Sequence, residues 1–115
     1  TAFLADAAHG PAVLGWVAGV VGGLGPATLR LTRSQLALRR RIGFAWLWLP
    51  GRWLRDPQAD LVLSIGMPAR LDSPRFKQVV EPYPGRWMHH LEVPDPALLD
   101  AEVAGWLTMA YAAAG

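Results

Sequence analysis

From Ala27 to Leu49 the chain reads ATLRLTRSQLALRRRIGFAWLWL, and apolar residues return at every second position over most of it. Side chains of a strand alternate between two faces, whereas those of a helix repeat every three to four residues, so a period of two commits this stretch to a sheet. Leu29 and Leu31 oppose Arg30 and Thr32, then Leu36 and Leu38 oppose Ala37 and Arg39. In GFAWLWL, alternation sets Phe44, Trp46 and Trp48 on one face, toward the core, and Ala45, Leu47 and Leu49 on the other. Apolar residues on both faces predict a central strand. Pro50-Gly51 then reads as a turn.

Three further strands are expected in LVLSIGM, FKQVVEP and RWMHHLEV, separated by the loops DPQAD and PARLDSPR and by the turn PYPG. Helices are expected at both ends. Pro11 to Gly25 is an apolar run with Pro at its start and Gly-Pro after it, signals of a helix's first turn and its stop. It falls short of the roughly twenty residues a bilayer needs, so no membrane span is expected. Gly15, Gly19 and Gly23 lie on one face of that helix, a spacing that allows close approach by another helix. Near the other end, Asp95 is placed to cap a helix with Pro96 at its first position. Leu99, Val103, Trp106, Leu107 and Ala110 form its apolar stripe. The expected fold is one α+β domain over residues 1–115, with residues 1–10 a flexible or truncated segment. It has an antiparallel sheet of about five or six strands, with an N-terminal and a C-terminal helix packed on one face.

That architecture leaves the other sheet face open, and charge suggests what it meets. Residues 27–55 hold seven arginines and no acid, while the chain from Trp87 onward holds Glu92, Asp95, Asp100 and Glu102 and no Lys or Arg. A basic half can steer an anionic partner, a protein or a nucleic acid. Equally, the arginines can be a solvated face that pairs with Glu81, Glu92 or a neighbouring domain. Arg39, Arg41, Arg52, Trp53 and Arg55 are the expected contacts, Trp53 being the tryptophan nearest a turn.

Chemistry-bearing residues are sparse. The chain has no cysteine, which removes disulfides, thiolate metal sites and cysteine nucleophiles. The glycines of GVVGGLG precede a strand instead of opening a helix after one, so no dinucleotide or phosphate loop is read there. Ser34 and Ser64 lack the strand-to-helix elbow of a hydrolase nucleophile. His89 and His90 are neighbours on one strand and so point to opposite faces. His89 is expected in the core as a hydrogen-bonded side chain and His90 outside with Glu92. A small-ligand or metal site centred on His89 and His90 is the alternative class, and a structural dimerisation domain a further one. No cofactor, no catalytic residue and no membrane partner are expected, the location read is cytoplasmic, and the oligomeric state is left open.

Four phrases, SQLALRRRIGFAWL, LDSPRF, HHLEV and LLDAEVAGWLTMAY, occur in an order that resembles an uncharacterised bacterial family common in actinobacteria, a domain of unknown function. The resemblance spans about Ala12 to Ala112. It implies a small α+β domain, distantly similar in outline to the frataxin-like and YdhG-like domains, and relatives fused to nuclease-like or zinc-ribbon segments. It implies no catalytic residue. The chain departs from the family's pattern in its glycine-rich first helix and in PGRWLRDPQAD, which is longer.

Overall fold

The alternating half of the chain folds as a meander. In this computed structural model, which describes residues 9–49 and 61–115, β1 (Thr28–Leu31), β2 (Gln35–Arg39) and β3 (Gly43–Trp48) pair antiparallel in sequence order. Arg52, Trp53 and Arg55 lie outside the described residues. β4 (Val62–Met67) adds to β3, after which the chain steps over one position. β5 (Gln78–Tyr83) takes the far edge, and β6 (Arg86–Glu92) returns between it and β4. The six-stranded sheet has the order β1-β2-β3-β4-β6-β5 and is antiparallel throughout. Pro82 falls in the edge strand β5, where a missing N–H does least harm to the ladder. Gly85 closes the β5–β6 turn at φ 82°, a conformation that glycine adopts without steric cost.

Helix α1 (Gly10–Leu24) and helix α2 (Ala101–Ala113) cover one side of the sheet. Val13, Val17 and Val21 of α1 and Val103, Trp106, Leu107 and Ala110 of α2 meet the sheet residues in a single core. On the sheet those residues form two cross-strand rows, Leu38–Ala45–Ile65–His89 and Leu36–Leu47–Leu63–Leu91. The expected α+β architecture is therefore the one observed. Among the described residues no helix is long and apolar enough to cross a membrane.

Both ends of α2 are tied down by polar contacts. At its start Asp100 accepts from the Val103 N–H at 3.2 Å, and Arg75 bridges Asp100 and Glu102 at 3.0 and 2.8 Å. Phe76, next to Arg75, packs between Trp106 and His89 at ring separations of 4.5 and 4.9 Å. At the other end, the last carbonyls of a helix lack intrahelical donors and carry partial negative charge. The β2–β3 turn supplies both needs. Arg41 N–H donates to Ala114 O at 2.9 Å, and Arg40 Nη1 donates to Tyr111 O at 2.9 Å while its guanidinium lies 4.1 Å over the Tyr111 ring. Tyr111 Oη in turn donates to Pro26 O at 3.0 Å, just beyond α1.

Three details differ from the sequence expectation. Leu38 pairs with Ala45 but Arg39 pairs with Gly43, so Phe44 is an extra residue without a partner on β2. Such a bulge shifts the alternation by one. Phe44 and Ala45 are both buried toward the helices, Phe44 edge-on to Tyr111 at 5.7 Å, and Trp46 and Trp48 are sent to the opposite face. The second difference is the start of α2. Asp95 caps a 3-10 turn, Pro96–Leu98, by accepting from Ala97 N–H at 2.8 Å, and the α-helix begins beyond Asp100. Lastly, Gly15, Gly19 and Gly23 are exposed, and a Cβ added at any of them would meet nothing within 4 Å, so among the described residues no helix packs against that stripe.

Candidate functional site

The side of the sheet opposite α1 and α2 carries the cross-strand row Arg30–Ala37–Trp46–Ser64–His90–Gln78. The adjoining row is Gln35–Trp48–Val62–Glu92. Between these rows lies an open cleft of about 420 Å³, walled by Trp46, Trp48, Leu49 and Met88, with Ser64 and His90 among its lining and Gln35 beside Trp48. Trp46 can lie flat because it passes over Gly43, where a Cβ would come within 2.7 Å of its ring. Gly66 makes similar room for Arg86, whose guanidinium crosses it to reach the Gly43 carbonyl.

A chain of hydrogen bonds fixes the cleft. Trp48 Nε1–H donates to Ser64 Oγ at 2.6 Å, and Ser64 Oγ lies 2.6 Å from His90 Nδ1. The Trp48 and His90 rings meet edge to face at 5.7 Å. Because an indole N–H can only donate, Ser64 Oγ accepts from Trp48 and its own proton is free for Nδ1. Burial pushes the His90 imidazole below its ordinary pKa, and the neighbouring His89 adds to the effect. His90 is thus a neutral ring at pH 7.

His89, on the other face, is enclosed. Its Nδ1 lies 3.1 Å from Ile65 O and its Nε2 accepts from Leu71 N–H at 2.9 Å, so both ring nitrogens hold backbone groups. Burial is the main cause of its lowered pKa. The two histidines are therefore separated by the sheet, and His89 has no lone pair left for a metal. Among the described residues no cluster of three or more potential metal-ligating side chains forms.

The basic residues divide by location. Arg39 and Arg41 belong to the β2–β3 turn, where Arg39 Nη2 donates to Arg41 O at 3.0 Å and Arg41 Nε donates to Gly115 O at 3.4 Å. Arg39 remains exposed on the side of the sheet opposite α1 and α2. Arg30 stands two strands from Trp46 in the same row, about 10 Å away at usual strand spacing, with only the small Ala37 between. Among the described residues neither Arg30 nor Arg33 makes an ion pair, whereas Lys77 pairs with Glu92 at 3.9 Å and Glu81 accepts from Gly85 N–H.

Sequence reasoning found the basic side of this face and the outward His90, but missed the cleft itself. Trp46, Trp48, Ser64 and Met88 were out of reach because strict alternation assigned the tryptophans to the core. The available signal was Gly43, a glycine inside a strand pattern beside a polar turn, which marks bulges.

Searches against curated proteins and against solved structures give no match. Residues 15–114 match the family described as domain of unknown function DUF5655. A match over that much of the chain, together with the α+β fold, settles its kinship: the chain is a member of the DUF5655 family.

Proposed function

We propose that this domain is a non-catalytic binding module that takes a single-stranded nucleic acid on the face of its sheet opposite α1 and α2. The observation that carries the proposal is the cleft of Trp46 and Trp48 with Arg30 in the same cross-strand row and Arg39 beside it. Aromatic platforms stack unpaired bases and arginines neutralise the backbone, a combination used by proteins that bind single strands.

Catalysis fits the same geometry poorly. Ser64 and His90 could suggest a nucleophile and base, but an acyl-transfer site also needs free donors aimed at the developing oxyanion. Ser64 is in the middle of β4, a central strand paired on both sides, so backbone amides there serve the ladder. The metal alternative at His89 and His90 is weakened by the two backbone bonds of His89. A thermal shift with zinc or iron would revive it. The wider setting we propose, a bacterial and cytoplasmic module with an outline like the frataxin-like and YdhG-like domains, is supported by the four sequence phrases alone.

Titration of the tryptophan fluorescence with single-stranded oligonucleotides tests the binding role. Affinity should fall with salt, with a slope of about −0.7 in log K per neutralised phosphate. Arg30→Ala, which removes no contact within the described fold, should lower that slope by about one phosphate's worth. Binding that ignores salt, or that Arg30→Ala and Trp46→Ala leave unchanged, rules out the nucleic-acid role.

A further inference from the structure

The hydrogen-bond chain in the cleft has a consequence for which base it accepts. Three atoms define it: Trp48 Nε1, Ser64 Oγ and His90 Nδ1, with both separations 2.6 Å. Ser64 is 1% exposed, and its hydroxyl has no other hydrogen bond among the described residues. If Nδ1 carried the ring proton, Ser64 Oγ would receive two donors and its own hydroxyl proton would be buried with no acceptor. A buried donor left without an acceptor is destabilising. The other arrangement satisfies every group: Trp48 donates to Ser64, Ser64 donates to Nδ1, and the ring proton sits on Nε2. Among the described residues Nε2 takes no hydrogen bond, and His90 lines the cleft and is partly exposed.

Resting on the nucleic-acid role above, we propose that His90 is a specificity-determining residue, presenting a fixed Nε2–H donor that selects bases with a keto oxygen over bases with an amino group at the same edge. Thymine or uracil and cytosine make the cleanest comparison. They stack on tryptophan through similar ring faces, but at position 4 thymine and uracil carry an acceptor oxygen where cytosine carries an amino donor, while N3 changes in the opposite sense. A keto oxygen accepts from Nε2–H, whereas an amino group there sets donor against donor. Trp48 is held in place by the same chain, so the stacking wall and the donor are positioned together. Met88 on the other side of the row offers a polarizable, adaptable wall that does not discriminate between bases.

The experiment compares oligo-dT and oligo-dC of equal length at one salt concentration, by tryptophan fluorescence. Oligo-dT should bind about five- to tenfold more tightly, in the range of a single good base contact. Ser64→Ala removes the group that fixes the tautomer, so it should bring the dT/dC ratio toward one while leaving the salt slope intact. His90→Phe should abolish the ratio but keep stacking. Nitrogen NMR of the unliganded wild-type protein reads the tautomer directly, with His90 Nε2 protonated and Nδ1 not. A protonated Nδ1, or equal affinity for the two oligonucleotides with a normal salt slope, overturns the selectivity and leaves the binding role standing. Salt-independent binding, or none by either oligonucleotide, overturns both.

Discussion

Two adjacent histidines serve opposite purposes because a strand sends them to opposite faces. His89 is a bracket that holds the Leu71 N–H and the Ile65 carbonyl, and His90 lines the tryptophan-walled cleft beside Ser64. Both are held below the ordinary imidazole pKa, mainly by burial. The unfolded chain therefore takes up protons at a higher pH than the folded one, and folding stability falls as pH drops through the ordinary imidazole value of 6.5. The contribution is complete above that value and is lost progressively below it. Asp100 has the opposite chemistry but the same direction: Arg75 holds its carboxylate below the usual range, so its share is lost only under stronger acid. Thermal unfolding should show a nearly flat midpoint from pH 8 to 7 and a decline between about 6.5 and 5. His90→Gln should flatten that decline. A midpoint that rises on acidification would contradict the neutral state of both rings. Adjacency alone implied the split between them, whereas their partners, which come from β4 and from the loop after it, lie 18 to 26 residues away and could not be read locally.

At the scale of elements, strand existence was legible and strand phase was not. Every apolar alternating run became a strand, because a period of two has no helical equivalent. One additional residue at Phe44 nevertheless reversed the facing of everything after it in β3, and the candidate site with it. The start of α2 was misplaced for a related reason. Asp95-Pro96 and Asp100 are both good caps, and tertiary contacts from Arg75 favour the second. The glycines of α1 offer a clean test of how far local propensity matters. Gly15 and Gly19 have open space where a methyl group would go. Glycine in a helix interior is about 1 kcal/mol less favourable than alanine, so Gly15→Ala with Gly19→Ala should raise stability by up to about 2 kcal/mol in denaturant unfolding. No gain, or a loss, would mean that this stripe is covered in solution by another molecule.

The described sheet is two-sided, with one face packed under α1 and α2 and the other carrying the Trp46–Trp48 cleft. Tyr111 holds the covered side together: its ring meets Phe44 of the sheet, its hydroxyl reaches Pro26 behind α1, and Arg40 lies across it. Tyr111→Ala should cost about 3–5 kcal/mol, as removal of a buried aromatic does, and Tyr111→Phe about 1 kcal/mol for the lost hydrogen bond. If Tyr111→Ala unfolds at the wild-type midpoint, the three-way junction contributes nothing. None of this junction was foreseeable in sequence terms, since Arg40 and Tyr111 are 71 residues apart. The overall class was foreseeable, because two capped helices flanking a run of alternating strands leave few other ways to bury both kinds of apolar face.

The link between Arg40 and Tyr111 also sets an order of events. Strands β1 to β3 are joined by short turns and can zip from local contacts, but the helix that covers them is the last element of the described chain. Closing contacts over long sequence separations slows folding. A chain leaving the ribosome therefore carries part of the Leu38, Ala45 and Leu47 face uncovered until α2 has emerged, exposed in that interval to aggregation or to chaperones.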